Sequence, residues 1–473
     1  MKELLNKVFK LEENKTTVKT ETIAGLTTFF AMCYIIIVNP NQMTGFKELP
    51  EIWNASFVGG IVAAVIATLL MAFIANKPFA LAAGMGLNSF FYVSFILPAV
   101  LNPTLDVADG YKTGLAVILI SGIIFLIMSL TGVRKYMATS LPPVLKTAIP
   151  AGIGMFIAFI GFQNSGLVIA NEHTAVSIAD FTKGASAIVP ALVALVGFVL
   201  VVVFSSSKVK VLKSGSIILG IAASTVLYYI LALCCGLDVE VTKPALGEVI
   251  GDWASLGFFG AFEGLGLLFG EWSTVLGGVF SVIMLIITYC LVDLFDTLGT
   301  LYGASAEAGM LDENGDPIGV NEEMLCDSIG TVAGALTGTS TVTTFVESSA
   351  GVAAGGRTGL SSLVTASLIL LCLFVAPLAQ YIPSCATAPA LIYVGVLMSK
   401  NILNIDFKDL QATSTGFITF IMMVCTYSIS NGIMLGAITY VLIALFTGKL
   451  NKKDIVVIVI ALLGILRFAF VNY

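Results

Sequence analysis

Charge is what this sequence has least of. Only 11% of its 473 residues are Asp, Glu, Lys or Arg, against roughly 25% in soluble domains. A soluble surface for a chain of this length needs far more, which excludes a soluble enzyme, a nucleic-acid binder and a disordered chain. There is one histidine, His173, in a polar loop, and the net charge is −6. Neither a basic track for a phosphate backbone nor a His/Cys metal cluster can be assembled from that. The eight cysteines show no CxxC spacing and fall almost entirely inside apolar runs, where they serve as small core residues. The three tryptophans, Trp53, Trp253 and Trp272, fall near predicted span ends, as membrane-interface aromatics do. What abounds is apolar: 58% of the chain is hydrophobic. The class is a polytopic membrane protein. No cleavable leader is visible, since residues 1–20 are polar with five lysines and the first apolar run is a full span.

Apolar runs able to cross the hydrocarbon layer lie at about 20–38, 55–75, 113–132, 146–161, 185–204, 214–236, 274–304, 359–378 and 431–447. Shorter, Gly- or Pro-interrupted runs lie at about 84–100, 325–338, 343–356, 385–398 and 412–427, which brings the expected number of spans to fourteen. A further run at 454–471 contains Arg467 and is compatible with a span, a re-entrant segment or an interfacial helix. Lysine and arginine test the count. With the N-terminus inside, 18 of them fall inside and only Lys47, Lys112, Lys183 and Lys243 outside, with Arg467 unassigned. The loop bearing Glu307, Asp312, Glu313, Asp316, Glu322 and Glu323 is then cytoplasmic, which acidic residues permit.

Fourteen spans divide as seven plus seven, and an odd number per half forces the halves into opposite topology. The expected organisation is a cytoplasmic segment 1–19, a first repeat 20–236, an extracellular connector 237–273, a second repeat 274–447, and a basic loop with the terminal apolar segment at 448–473. The halves share a defect. The third span opens on Ala83-Gly84-Met85-Gly86-Leu87-Asn88-Ser89, and the tenth on Gly338-Thr339-Ser340-Thr341-Val342-Thr343-Thr344. Broken segments at equivalent positions mark a midplane binding site.

Few ionisable residues lie deep in the spans. Asp293 and Asp296, three apart in span 8, share a helix face, and one of them is expected to hold its proton. Glu347 follows the Thr-rich run, at the positive end of a half-helix. Asn88 is its counterpart in span 3 and offers both donor and acceptor. Phe90 and Phe91 are placed to stack on an aromatic ligand. Asp327 and Glu21, near span ends, read as interfacial.

Several runs carry a family resemblance. They are Thr22-Ile23-Ala24-Gly25-Leu26-Thr27-Thr28-Phe29-Phe30-Ala31-Met32, Asn76-Lys77-Pro78-Phe79-Ala80-Leu81-Ala82-Ala83-Gly84-Met85-Gly86-Leu87-Asn88, Asp293-Leu294-Phe295-Asp296-Thr297-Leu298-Gly299-Thr300, the run Thr344 to Gly359, and Ala386 to Gly395. With them the chain resembles the AzgA-like purine permeases of the nucleobase–cation symporter 2, or nucleobase–ascorbate transporter, group from about residue 8 to 447. The resemblance implies an all-α inverted repeat with short strands before half-helices 3 and 10. It also implies a core domain of spans 1–4 and 8–11, a gate domain of spans 5–7 and 12–14, a homodimer, and an elevator-like motion. The family's acids fall on Asp293 and Glu347 and its span 3 asparagine on Asn88. Asp293, rather than glutamate, and Glu347-Ser348 point to the purine branch.

The implied function is import of a purine nucleobase (guanine or hypoxanthine, or else adenine) across the plasma or inner membrane. The proton serves as coupling ion, and no other cofactor is needed. Asp293 and Glu347 would take the base's N–H donors, and half-helix amides near Ser89–Phe90 and Val346–Ser348 would serve its acceptors. Asp293, with Asp296 beside it, is the expected proton carrier and Glu347 its rival. An anion transporter on the same fold is the alternative, disfavoured by two deep acids. A channel lacks the ring of identical groups it would want, and no nucleophile–base pair suggests an enzyme.

Overall fold

The computed structural model describes residues 2–46, 48–171, 173–237, 245–312, 317–379, 381–451 and 454–470. Lys47, Lys243, Glu313, Asp316, Lys452 and Lys453, used above for orientation, lie outside the described residues. Among the described residues nine helices are long and apolar enough to cross a membrane.

The first apolar run is two helices, α1 (Val18–Met32) and α2 (Ile35–Met43), separated at Cys33-Tyr34, and α3 follows at Pro50–Leu70. Strand β1 (Leu81–Ala83) leads into α4 (Met85–Phe91), whose helical path continues to Leu101. Then come α5 (Val107–Leu130), α6 (Pro143–Asn164), a hairpin of β2 (Val168–Asn171) and β3 (Ala175–Ile178), α7 (Ala185–Ser205) and α8 (Ser216–Cys235). His173 sits exposed in the turn of that hairpin. The described part of the connector includes two short helices, α9 (Leu246–Asp252) and α10 (Gly260–Phe269). The second half holds α11 (Val279–Ala308), α12 (Val320–Thr337), strand β4 (Val342–Thr344), α13 (Ser348–Ala353), α14 (Gly359–Leu371), α15 (Ser384–Ser399), α16 (Leu410–Cys425) and α17 (Ile429–Phe446).

The two broken segments meet. Strands β1 and β4 pair antiparallel in the register Leu81↔Thr344, Ala82↔Thr343 and Ala83↔Val342. Both strands are buried. Far from water, each supplies the backbone partners the other needs. Gly84 ends β1 and caps α4, its N–H donating to the Thr341 carbonyl at 2.8 Å.

Two sets of helices pack mainly within themselves. In one, α14 lies on α1 and α3, α12 on α3 and α5, and α11 on α5 and α13. In the other, α6 packs on α15 and α16, α7 on α8 and α15, and α16 on α17. The sets touch where α11 meets α6 and α17, and where α4 meets α6. The connector docks on the first set: Trp253 Nε1 donates to the Thr337 carbonyl at 2.7 Å and the Phe259 N–H to Leu336 at 2.9 Å. These bonds cap the last turn of α12, whose carbonyls have no helical partner. The chain turns there at Gly338 with φ +98°, where a Cβ would lie 2.6 Å from Gly257 Cα. No side chain fits.

The terminal run folds as helix α18 (Ile455–Phe470) antiparallel along α17. Tyr440 donates to Asp454 at its start, and Gly464 abuts Met434 midway.

Three expectations are corrected. Trp272 is not an interfacial residue but is 2% exposed, its ring against Gly110 of α5. Asp327 is fully buried between α11 and α12. Glu21 is fully buried as well, accepting from the Arg357 and Thr358 amides at 2.9 and 3.3 Å and from the Ser361 hydroxyl at 2.5 Å. It thus caps α14 across the fold, a long-range partnership with no trace in local sequence. Glu21→Ala should destabilise the protein by about 1–3 kcal/mol, because it leaves those donors buried and unmatched. Thermal melting of the detergent-purified protein measures this, and an unchanged midpoint would refute the capping role.

Candidate functional site

A cavity opens where the two helix sets meet. The first set supplies Gly84, Met85 and Gly86 from the start of α4, Asp296 and Thr300 from α11, and Thr343 to Glu347 from β4 and the turn into α13. The second set supplies Ile157 from α6 and Val394 and Met398 from α15. Its free space, mouth included, is about 340 Å³. Every ionisable or hydroxyl group on the lining comes from the first set, and the second presents only an apolar wall.

Two carboxylates reach it. Glu347 is the N-cap residue of α13 and is 8% exposed, with one oxygen (Oε1) accepting from the Tyr34 hydroxyl at 2.6 Å. Tyr34 sits fully buried at the break between α1 and α2, so that interruption aims a phenol at the site. Asp296 is 7% exposed and lies against the start of α4: a Cβ on Gly84 would stand 3.2 Å from its Oδ2. The missing side chain lets the carboxylate approach the positive end of that helix. The first amides of α4 have no acceptor within the helix, and Gly84 to Gly86 border the cavity. Thr344, also on the lining, has a buried hydroxyl that meets no hydrogen-bond partner among the described residues. Phe345 adds an aromatic ring to the lining.

Of the residues singled out from sequence, the structure brings Asp296, Val346 and Glu347 to the cavity. Asp293 is not on its lining. It is 2% exposed, and its Oδ2 accepts from Thr331 of α12 at 3.1 Å. Three residues turn a helix through about 300°, leaving such a pair about 60° apart. That suffices for one acid to face the cavity and the other the neighbouring helix. Asn88 is likewise set back: it donates to Asn39 Oδ1 at 2.9 Å and Gln42 Oε1 at 3.3 Å, and accepts from the Ser340 hydroxyl. It ties α4 to α2 and to the segment entering β4. Phe90 packs on Tyr289 with ring centroids 5.1 Å apart, Ser89 is buried, and the Ser348 hydroxyl accepts from the Ala80 N–H at 3.0 Å. None of these three is on the cavity lining.

The expected amides also move. The helix begins at Met85, so the Ser89 and Phe90 amides lie beyond the first turn and only those of Met85 to Leu87 open outward. The Ser348 amide donates to the Phe345 carbonyl at 3.1 Å.

Sequence reasoning missed Tyr34, Thr300, Thr343, Thr344 and the apolar wall. The Thr-rich run was the signal for Thr343 and Thr344. Tyr34 lies within an unbroken apolar run, with no local mark of a break. Removing the phenol hydroxyl leaves the buried Glu347 carboxyl without that donor, a cost of about 1–3 kcal/mol. Tyr34→Phe should therefore lower the melting midpoint and weaken ligand binding at least tenfold, read by thermal shift and equilibrium binding. Unchanged values in both would remove Tyr34 from the site.

Comparison with known proteins agrees with this architecture. The chain matches the Permease family model, Xan_ur_permease, over residues 19–435. It is 36% identical over 469 residues to the adenine permease AdeP of Escherichia coli, covering 99% of this chain and 97% of the relative. It is 36% identical over 472 residues to the guanine/hypoxanthine permease PbuG of Bacillus subtilis, covering 98% and 99% of the two chains. Among solved structures, the transmembrane domain of the cyanobacterial bicarbonate transporter BicA superposes with a TM-score of 0.59 at 17% identity, over 86% of this chain and 95% of that one. SLC26A9 gives 0.56 at 13% identity, over 91% and 66%. Those two likenesses show that the chain shares the fold of these transmembrane domains. The two segments that meet as paired strands, the cavity at their ends and the full-length likeness to permeases converge: this chain is a multi-pass membrane protein and belongs to the Xan_ur_permease family of permeases.

Proposed function

We propose that the protein is a secondary active transporter that imports purine nucleobases, guanine and hypoxanthine or adenine, in symport with protons. The reading rests on the full-length relatives, whose names specify adenine and guanine/hypoxanthine, together with the chemistry of the cavity. A purine is planar and neutral, with ring N–H donors beside carbonyl and ring-nitrogen acceptors. Asp296 and the free oxygen of Glu347 match the donors. The first amides of α4 and the Thr344 hydroxyl match the acceptors, and Phe345 offers a ring face. An analogue lacking a donor would leave a buried carboxylate unmatched, which gives the site its selectivity.

The neighbours in fold include a bicarbonate transporter, yet two carboxylates on one cavity would repel an anion. The same chemistry favours proton coupling, since an acid that trades its proton between access states links the proton to the cargo. Asp296 is the carrier we favour. Asp293, held by Thr331, would orient α11 against α12.

The division of labour in the lining supports an elevator-like mechanism. The polar groups sit on one helix set and the apolar wall on the other. The first set, as core domain (spans 1–4 and 8–11), can therefore carry the base past the second, as gate domain (spans 5–7 and 12–14), without breaking a polar contact at the cavity. Fourteen spans, a cytoplasmic N-terminus, residence in the plasma or inner membrane and a homodimer complete the proposal.

Cells lacking their own purine uptake and expressing this protein should accumulate labelled hypoxanthine or adenine, and a protonophore should collapse the gradient. Asp296→Asn and Glu347→Gln should each lower uptake at least tenfold, with Asp293→Asn retaining more. Accumulation that survives the protonophore would remove proton coupling. Uptake of sulfate or bicarbonate without competition by purines would overturn the substrate class.

A further inference from the structure

Helix α18 lies beyond the segment shared with the family model, which ends at residue 435. It nevertheless carries Arg467, 5% exposed in an otherwise apolar helix. A guanidinium at such depth is unfavourable unless it has work to do. Its Nη1 donates to Thr288 Oγ1 of α11 at 3.2 Å and to Ser430 Oγ of α17 at 2.6 Å. One nitrogen therefore joins the first helix set to the second. The junction lies beside a direct contact between the sets: a Cβ on Gly86, in the first turn of α4, would stand 2.7 Å from Ile429 Cδ1. Ile429 and Ser430 are the first two residues of α17. The latch point is thus close to the mouth of the half-helix that borders the cavity.

We infer that Arg467 is a latch between core and gate, so that α18 acts as a brake on alternating access; this rests on the core-against-gate movement proposed above. Thr288 travels with the core and Ser430 stays with the gate. A displacement of more than about an ångström takes one of the two bonds out of range. Those two bonds therefore favour the arrangement seen here. Loss of a charged hydrogen bond of this kind corresponds to about a tenfold change in a two-state ratio. Arg467 is not on the cavity lining, so it is a positioning residue: it sets how often the core is released, not how tightly cargo is held.

The test uses the full chain in proteoliposomes, with spin labels at Ile283 of α11 and Leu442 of α17, both exposed. Double electron–electron resonance reads the core-to-gate distance, with and without hypoxanthine, and hypoxanthine counterflow is measured in parallel. Arg467→Met should shift the ratio of the two distances about tenfold away from the latched one and speed counterflow. Arg467→Lys should restore part of the latched population, which a generally destabilised helix would not do. Thr288→Val, nearly isosteric, should shift the ratio in the same direction as Arg467→Met, and it decides the matter alone if Arg467→Met is not recovered folded. Two distances in the wild type, with a ratio that Arg467→Met or Thr288→Val leaves unchanged, would overturn the latch and leave the movement standing. A single unchanging distance in a wild type that transports would overturn the movement, and the latch with it.

Discussion

A backbone amide or carbonyl without a partner costs several kcal/mol in hydrocarbon, and this protein interrupts two of its membrane segments where no water is at hand to help. Pairing β1 with β4 resolves that for both interruptions at once. Because the paired residues come from opposite halves of the chain, neither broken segment can hold its shape without the other. The start of α4 and the turn into α13 are thereby set side by side, and Asp296 and Glu347 meet at one cavity. The Gly84 amide reaching the Thr341 carbonyl, the Ser348 hydroxyl taking the Ala80 amide, and the Asn88 contacts to Asn39, Gln42 and Ser340 extend the same bracing outward.

Buried polarity is otherwise concentrated on one side of the molecule. Along α12, Asp327 accepts from Thr297 at 2.8 Å and Thr331 donates to Asp293 at 3.1 Å, while Thr297 meets Thr343 at 3.1 Å. These residues form a seam between α11 and α12 that runs up to the cavity lining. A hydrogen-bonded seam of this kind resists shear, because sliding it strands several buried groups together. The surface that the first helix set turns toward α6 and α15 at the cavity is apolar on the far side, and an apolar contact can slide without leaving any group unpaired. The polar atoms thus tie the first set together internally and leave its cavity contact with the second set apolar.

The membrane class needed only composition, and hydropathy placed most of the helices: the runs read as spans lie on helices, except that the run at 343–356 divides between β4 and the short α13. Even the short strands before α4 and α13 were expected, through the resemblance of the surrounding motifs. The candidate site was legible in part. Glycine- and threonine-rich breaks pointed to the right two places, and Glu347, Val346 and Asp296 reached the cavity. Asn88, Ser89, Phe90 and Ser348 lie off its lining, and Asn88 and Ser348 are hydrogen-bonded to neighbouring segments.

Local sequence determines these outcomes when the physics is local. A run of apolar residues partitions into lipid and closes its own helical hydrogen bonds whatever its neighbours do. Which of two acids three residues apart faces a cavity is decided by the rotation of α11 against α12, and that depends on packing across distant parts of the chain. The same holds for Glu21, which caps a helix more than 300 residues away, for Tyr34 beside Glu347, and for Arg467 between α11 and α17. A buried polar side chain takes the partner that tertiary contact brings to it, and sequence spacing carries no record of that partner.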